Sequence, residues 1–313
     1  MIDKLHVTQN IIDSINRFSK YRRHPSFSKA EKREIFTQEV LNLCIKNNYI
    51  YNIEEESIIK AILVIEKSIW DSKHFGIEMA KMYFFADSNI SVDSLVELFK
   101  EAIIDLKKDN IKHISIDVDI DNYLILNLLI SVGFQVMDIK RTYLGNIIGK
   151  NPAYEKMLHR VRPYQATDLA AIEKILEHTK YETKFTRDAR LDANKSQDVY
   201  KYWFYKLIEQ SHTTSQVVVF ENKEGVVACG AIGEFDFHQL GVNKKMRSGS
   251  VYACLPQGIG AYGTVLYRLT MDAIASHGLV ETTVSLNNTS AVRVVEGMRP
   301  NHTITTLAMR MLL

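Results

Sequence analysis

Cysteine is scarce. Cys44, Cys229 and Cys254 are the only three in 313 residues, scattered and odd in number, with no Cys-x-x-Cys pair. This excludes a disulfide framework and a thiolate metal site; no metal is expected, and Cys229 and Cys254 read as small core residues of apolar strands in a reducing compartment. An excess of either charge is also missing: 39 Lys+Arg stand against 37 Asp+Glu, a net +2. Such a chain has no overall field for nucleic acid or an anionic membrane, so an anionic ligand needs a local site. No stretch reaches the roughly 18 consecutive apolar residues of a membrane span, and Met1 to His6 opens no apolar signal core. The expectation is a cytoplasmic protein.

What is present is an ordinary globular composition, 46% hydrophobic and 24% charged, in a chain long enough for about two domains. The segment Pro256-Gln257-Gly258-Ile259-Gly260-Ala261-Tyr262-Gly263 lies between an apolar run, Ser250 to Leu255, and an amphipathic run, Thr264 to His277. It reads as strand, glycine turn and helix N-terminus. Glycines admit a ligand to the backbone amides, and the helix dipole favours an anion there. The spacing is neither the dinucleotide fingerprint nor the P-loop, whose Gly-Lys-Ser/Thr ending is missing. Two readings stand level on this segment alone: a pyrophosphate cradle and a plain turn.

Residues 1–50 read as an N-terminal helical segment. Ile11, Ile12, Ile15 and Phe18 share one face, Lys20 to Pro25 form a basic connector, and Ser28 with Glu31 makes a capping box for a helix to Asn47. From 51 to 150 come strands at Ile58 to Glu66 and Met79 to Phe85, a helix from Val92 to Lys107, a strand from His113 to Val118, a short helix after Asn122 and a strand from Arg141 to Asn146. Gly149 to Lys156 is a breaker. Residues 157–313 restart with a strand at Arg160 to Pro163 and a helix from Thr167 or Asp168. A helix from Gln197 to Glu209 and a hairpin, Gln216 to Phe220 with Val226 to Ile232, come next. Then follow the glycine turn, a strand from Glu281 to Leu286, a short helix after Asn288 and a strand from Thr305 to Leu312. Both halves end in a long helix, a buried strand, an Asn-initiated short helix and a closing strand, which indicates internal duplication. The fold class expected is α/β, a mixed and largely antiparallel sheet flanked by helices, in tandem. Only the second half carries the glycine turn.

This order, with Gln257-Gly258-x-Gly260 before a helix and Asn288-x-x-Ala291 after the next strand, resembles the GNAT acetyltransferases. The resemblance implies that 157–313 is an acetyl-CoA-binding GNAT domain, with pyrophosphate on the amides of Gly258, Gly260, Ala261 and Gly263. Asn288 would lie near the pantetheine arm, with Gln257 at the position of the family's Arg or Gln. Lys184 to Leu191, Val199 to Trp203 and Ile69 to Gly76 are similar to the two-domain TDP-fucosamine acetyltransferase type, which implies that 51–150 is a degenerate GNAT copy without a CoA site. It also implies an acceptor that is a small amine of the nucleotide-linked amino-sugar class. The sequence departs from the family where its general-acid Tyr is expected, about seven residues after Asn288. Val295 stands there, and a shifted register offers only Arg293.

Acetyl transfer needs a neutral amine, a polarised thioester carbonyl and a proton for the departing thiolate. The backbone N–H of Ala253, Cys254 or Leu255 could polarise the carbonyl. Glu234, Asp236 and His238 are candidate bases at the end of a core strand, each also readable as an ordinary polar loop residue. Tyr252, Tyr262 and Tyr267 are phenols that could replace the missing acid, with Tyr262 preferred and Tyr267 read as helix packing. Arg187 and Arg190 suit phosphate recognition, although a salt-bridged connector is an equal reading. Trp203 with Tyr200 reads as core before sugar platform. The chain therefore reads as an acyltransferase with acetyl-CoA as donor. The alternatives are a CoA-binding regulatory or catalytically impaired protein of the same fold, and a scaffold in which the sheet mediates assembly. A homodimer is left open.

Overall fold

A computed structural model describes residues 21, 24, 26–46, 49–56, 58–87, 89–145 and 149–313. The face formed by Ile11, Ile12, Ile15 and Phe18, and most of the Lys20 to Pro25 connector, lie outside them. The elements are α1 (Lys29–Lys46), β1 (Tyr49–Glu55), β2 (Ile58–Lys67), α2 (Ile69–Phe75), β3 (Met79–Ala86), α3 (Val92–Lys108), β4 (His113–Asp119), α4 (Tyr123–Ser131), β5 (Gln135–Gly145), α5 (Pro152–Glu155), β6 (Val161–Pro163), α6 (Leu169–His178), α7 (Ala193–Glu209), β7 (Ser215–Asn222), β8 (Gly225–Asp236), β9 (Lys245–Cys254), α8 (Ile259–His277), β10 (Val280–Ser285), α9 (Thr289–Gly297) and β11 (His302–Leu312). The mixed, largely antiparallel sheet flanked by helices agrees with the expected class.

The chain forms two compact units. One comprises residues 1–139, 239–242 and 305–313; the other comprises 140–238 and 243–304. The breaker at Gly149 to Lys156 thus falls inside the second unit. In the first unit the strand order is β1-β2-β3-β4-β11. Alternating residues of β2 divide its core: Ala61, Leu63 and Ile65 meet α3 and α4 through Leu95, Phe99 and Leu129, whereas Ile62 and Val64 meet Phe36, Val40 and Cys44 of α1. The capping box forms at the start of α1, with Ser28 N donating to Glu31 Oε2 at 2.7 Å and Glu31 N to Ser28 Oγ at 3.2 Å.

In the second unit the order is β5-β10-β9-β8-β7-β6. Val218, Phe220, Ala228 and Tyr252 face Val265, Leu266 and Leu269 of α8. The alternate residues Val217, Val219, Cys229, Ala231, Val251 and Ala253 face Ile172 and Ile175 of α6 and Phe204 of α7. At the sheet's far edge Arg162 of β6 donates to Asp168 through its two terminal guanidinium nitrogens, at 2.7 and 2.8 Å, and Gln165 N donates to the same carboxylate. That pairing, ahead of the cost of burial, holds Asp168 below the usual aspartate range.

The two units share matched local geometry. β3-α3-β4-α4 and β9-α8-β10-α9 repeat one order, with a parallel strand pair on either side of the long helix. Asn122 (φ −87, ψ 67) and Asn288 (φ −82, ψ 73) cap the short helices identically, each side chain accepting from the amide three residues on. The closing strands do not stay with their own halves. β11 pairs with β4 from Thr306 to Leu312, and the Lys140 to Gly145 part of β5 pairs with β10. Each half of the sequence closes the sheet of the other unit. Pairing partners are a long-range property that periodicity does not encode.

Candidate active site around the β9–α8 turn

Strands β9 and β10 run parallel, yet Val280↔Arg247 is their single ladder pair. Arg247 N reaches Leu279 O at 3.2 Å, and Ser248 Oγ donates to Glu281 Oε1 at 2.9 Å; beyond that point the two strands are unpaired. A bulge opens the gap. On β9, Gly249 and Ser250 lie opposite the single residue Ile232 of β8, with Gly249 at φ +69. An extra residue bends its strand and reverses which amides point to which side. Leu255 N donates to Val227 O of β8 at 2.9 Å. By the antiparallel alternation the amide of Ala253 also points to β8, whereas those of Tyr252 and Cys254 point into the gap. Of the three amides suggested by the sequence, register selects Cys254; Leu255 is committed elsewhere.

The gap ends at the glycine turn. A short 3₁₀ turn, Pro256–Gly258, leads into α8, which begins at Ile259 and not at Thr264 as the sequence suggests. Gly260, Ala261, Tyr262 and Gly263 are therefore helical. With Gly258 as N-cap, the free amides of the first turn are those of Ile259, Gly260 and Ala261. Gly258 N donates to Leu255 O at 2.7 Å, and Gly263, a full turn in, donates within the helix. Two of the four amides assigned to pyrophosphate from the sequence thus have other roles. A Cβ on Gly258 would meet Val227 O at 2.7 Å, and one on Gly263 would meet the Tyr154 ring at 2.6 Å, so both glycines serve close packing. A Cβ on Gly260 would meet nothing within 4 Å. Gln257 and Gly260 are exposed at this end, while Leu255 is buried.

The corresponding helix of the first unit is closed. Ser91 caps α3 by accepting from Ser94 N, Asp93 lies in the first turn, and buried Asp87 accepts from Asn89 N at 3.1 Å. The α8 N-terminus has no side-chain cap and no acidic residue in its first turn. Carboxylates at a helix N-terminus occupy and repel what an anion would use. Of these two long helices only α8 has an N-terminus free of a side-chain cap and of a first-turn carboxylate.

Three phenols surround the end of β9. Tyr252 is 8% exposed and Tyr181 9%, and the Tyr181 hydroxyl has no hydrogen-bond partner among the described residues. Ser250 and Thr282 lie near enough to Tyr252 to offset part of the effect of burial, which holds the phenol at about 12. The Tyr262 ring meets that of Tyr252 edge-on at 6.0 Å, and burial pushes Tyr262 well above the usual tyrosine value. Burial also raises the Cys254 thiol, which suits a packed thiol more than a nucleophile. An unsatisfied buried hydroxyl costs about 1–3 kcal/mol, which makes that of Tyr181, on the α6–α7 face of the sheet, a group to account for. Tyr267 packs in the core, as expected, with its hydroxyl donating to Glu155 at 3.2 Å.

The remaining sequence candidates are dispersed. Glu234 pairs with Arg247, seven residues before Cys254 and so roughly 20 Å down the strand from the turn. Its oxygens meet Lys245 Nζ at 2.7 Å and His277 Nε2 at 2.8 Å. Burial would raise its pKa, but these two partners outweigh it and the carboxyl is held low. It is an ion-paired brace, with little basicity to offer an amine. Asp236 and His238 pair with each other at 2.7 Å on the surface. Asn288 spends its carboxamide oxygen on the α9 cap at 3.1 Å, leaving its NH₂ as the donor a ligand could meet. Arg187 pairs with Glu182 at 3.2 Å, and Arg190 is exposed on a turn bound by Asp188. Val295 is buried and faces a small cavity with Tyr143, Leu266 and Thr282; Arg293 is exposed. Trp203, expected in the core, is 36% exposed and lies 3.3 Å from where a Gly249 Cβ would be. Tyr181 escaped the sequence reading because it sits in an irregular segment. Among the described residues no cluster of three or more His, Cys, Asp or Glu could hold a metal, and no helix is long and apolar enough to cross a membrane.

No protein-family model and no curated protein matches the sequence. Solved structures do match by shape. A GCN5-related N-acetyltransferase from Sphaerobacter thermophilus is 12% identical, covers 81% of this chain and 77% of its own, and superposes with a TM-score of 0.53. Looser likenesses are a GCN5-related N-acetyltransferase from Kribbella flavida (10% identity, 91% and 96% covered, TM-score 0.46) and a GNAT-family acetyltransferase from Colwellia psychrerythraea (13%, 90% and 97%, 0.43). The chain has the fold of the GCN5-related N-acetyltransferases.

Proposed function

We propose that the protein is an N-acetyltransferase whose second unit binds acetyl-CoA along the β9–β10 gap and passes the acetyl group to a small amine. The observation that carries this reading is the pairing of an uncapped, acid-free helix N-terminus with a strand gap ending beside it. The residues fit the donor. Pyrophosphate oxygens suit the amides of Ile259, Gly260 and Ala261, where Gly260 leaves room for approach. The pantetheine arm suits the unpaired edge of β9, with the Asn288 NH₂ at the mouth of the gap. The Cys254 amide supplies a fixed donor for the thioester carbonyl.

In the reaction the amine nitrogen attacks the carbonyl carbon, the C–S bond breaks, and the thiolate takes a proton. Tyr262 is the proposed proton source. Its raised pKa keeps the proton on at neutral pH but makes transfer to a thiolate uphill, so this acid is weaker than a matched one. Glu281 accepts from Ser248 at the paired end of the gap and is no nearer the turn than Glu234, so the amine's proton passes to water. The acceptor proposed is a nucleotide-linked amino sugar, with the exposed Arg187 and Arg190 available to its phosphates. The test is thiol release from acetyl-CoA with dTDP-4-amino-4,6-dideoxyhexoses and simple amines as acceptors. Release with the sugar nucleotide alone supports the full reading; release only with simple amines removes the sugar assignment.

A second reading is a CoA-binding protein of impaired activity. Val295, buried where the resemblance expects a phenol, favours it. Binding of acetyl-CoA without turnover on any amine would select this reading.

A further inference from the structure

The acyl-transfer reading leaves one buried polar group unused. Tyr181 lies between α6 and α7, and its backbone is clamped on both sides by one side chain: its amide donates to Gln197 Oε1 at 2.9 Å, and Gln197 Nε2 donates to its carbonyl at 3.3 Å. Its ring stacks on Tyr200 at 4.7 Å and 17°, and packs with Cys229, Ala253 and Leu255 at the ends of β8 and β9. A side chain fixed in three ways carries a hydroxyl that meets no partner among the described residues. Ala253 and Leu255 flank Cys254, so the ring lies at the end of β9, where the gap meets the glycine turn. Preorganised, unsatisfied donors aimed at a reacting centre are how acyl transfer sites stabilise developing negative charge.

We infer that the Tyr181 hydroxyl is a second hydrogen-bond donor to the thioester carbonyl, acting beside the Cys254 amide from the α6–α7 face of the sheet. No proton leaves Tyr181: it donates a hydrogen bond that strengthens as the carbonyl oxygen gains charge. Burial raises its pKa well above the usual value, so it stays protonated across the working range. The Gln197 clamp and the Tyr200 stack are the devices that hold the donor in place.

This inference rests on the acetyl-CoA reading, and the experiment separates the two. Acetyl-CoA labelled with carbon-13 at the carbonyl is bound to the full chain, and the carbonyl stretch is read by difference infrared spectroscopy in wild type, Tyr181→Phe and Tyr202→Phe. Tyr181→Phe keeps the stacked ring; Tyr202, 54% exposed, is the control phenol. Expected is a stretch below the free-ligand value in wild type and Tyr202→Phe, moving back toward it in Tyr181→Phe. Affinity should be little changed, and thiol release should fall by about 10²-fold. Binding to all three proteins with an identical stretch overturns the Tyr181 assignment and leaves the acetyl-CoA reading standing. Failure of wild type to bind acetyl-CoA overturns both.

Discussion

Three glycines within six residues do three different jobs. Gly258 and Gly263 let α8 approach Val227 and Tyr154, while Gly260 alone leaves space open. Gly258→Ala should therefore cost about 1–3 kcal/mol of stability, because the obstacle is a backbone carbonyl that cannot swing away; thermal denaturation reads this, and an unchanged midpoint would contradict the packing role. Gly260→Asp should do the reverse. A carboxylate in the first turn of an uncapped helix is stabilising by about 0.3–1 kcal/mol, yet it repels pyrophosphate, so acetyl-CoA affinity should drop at least about tenfold with the midpoint held or raised. Tyr262→Phe should lower kcat by about tenfold, below the range of about 10²- to 10⁴-fold for a matched general acid. The sequence made the glycine cluster visible but could not rank its members, since each role depends on a tertiary neighbour far along the chain.

Element boundaries were legible where a local signal sets them. Ser28 with Glu31, Asn122 and Asn288 all cap as their side-chain chemistry requires. The start of α8 was missed because Gly260 and Gly263 read as breakers. Each costs a helix about 1 kcal/mol, and tertiary packing overrides that. Likewise the Gly249 bulge carries no composition signal of its own. At this scale the sharpest test is the β6–α6 junction. Because Arg162 depresses Asp168, the pair's contribution is fully present at neutral pH, where the carboxyl is ionised folded and unfolded. It is lost as pH falls below about 3.9, the ordinary aspartate value, toward the lower folded value. Asp168→Asn should thus destabilise by about 1–3 kcal/mol at pH 7 and by much less in strong acid; a penalty that does not change with pH would contradict the charge pairing.

At the scale of the whole chain, the repeated order of elements was readable and the exchange of closing strands was not. Without β11, β4 loses its partner from Thr306 to Leu312; without Lys140 to Gly145, β10 loses its own. Residues 157–313 expressed alone should then lack a folded sheet by circular dichroism and amide exchange, whereas co-expression with 1–156 should restore it. A stably folded 157–313 fragment would refute the exchange. The repeated order also raises a question of number, since the two long helices are equivalent in order and opposite in N-terminal chemistry. Calorimetric titration of the full chain with acetyl-CoA, set beside Gly260→Asp, answers it most directly. The expected result is one molecule bound per chain, with binding lost or strongly weakened in the variant. Two equivalent sites, no binding, or binding indifferent to Gly260→Asp would contradict a single anion cradle at the start of α8.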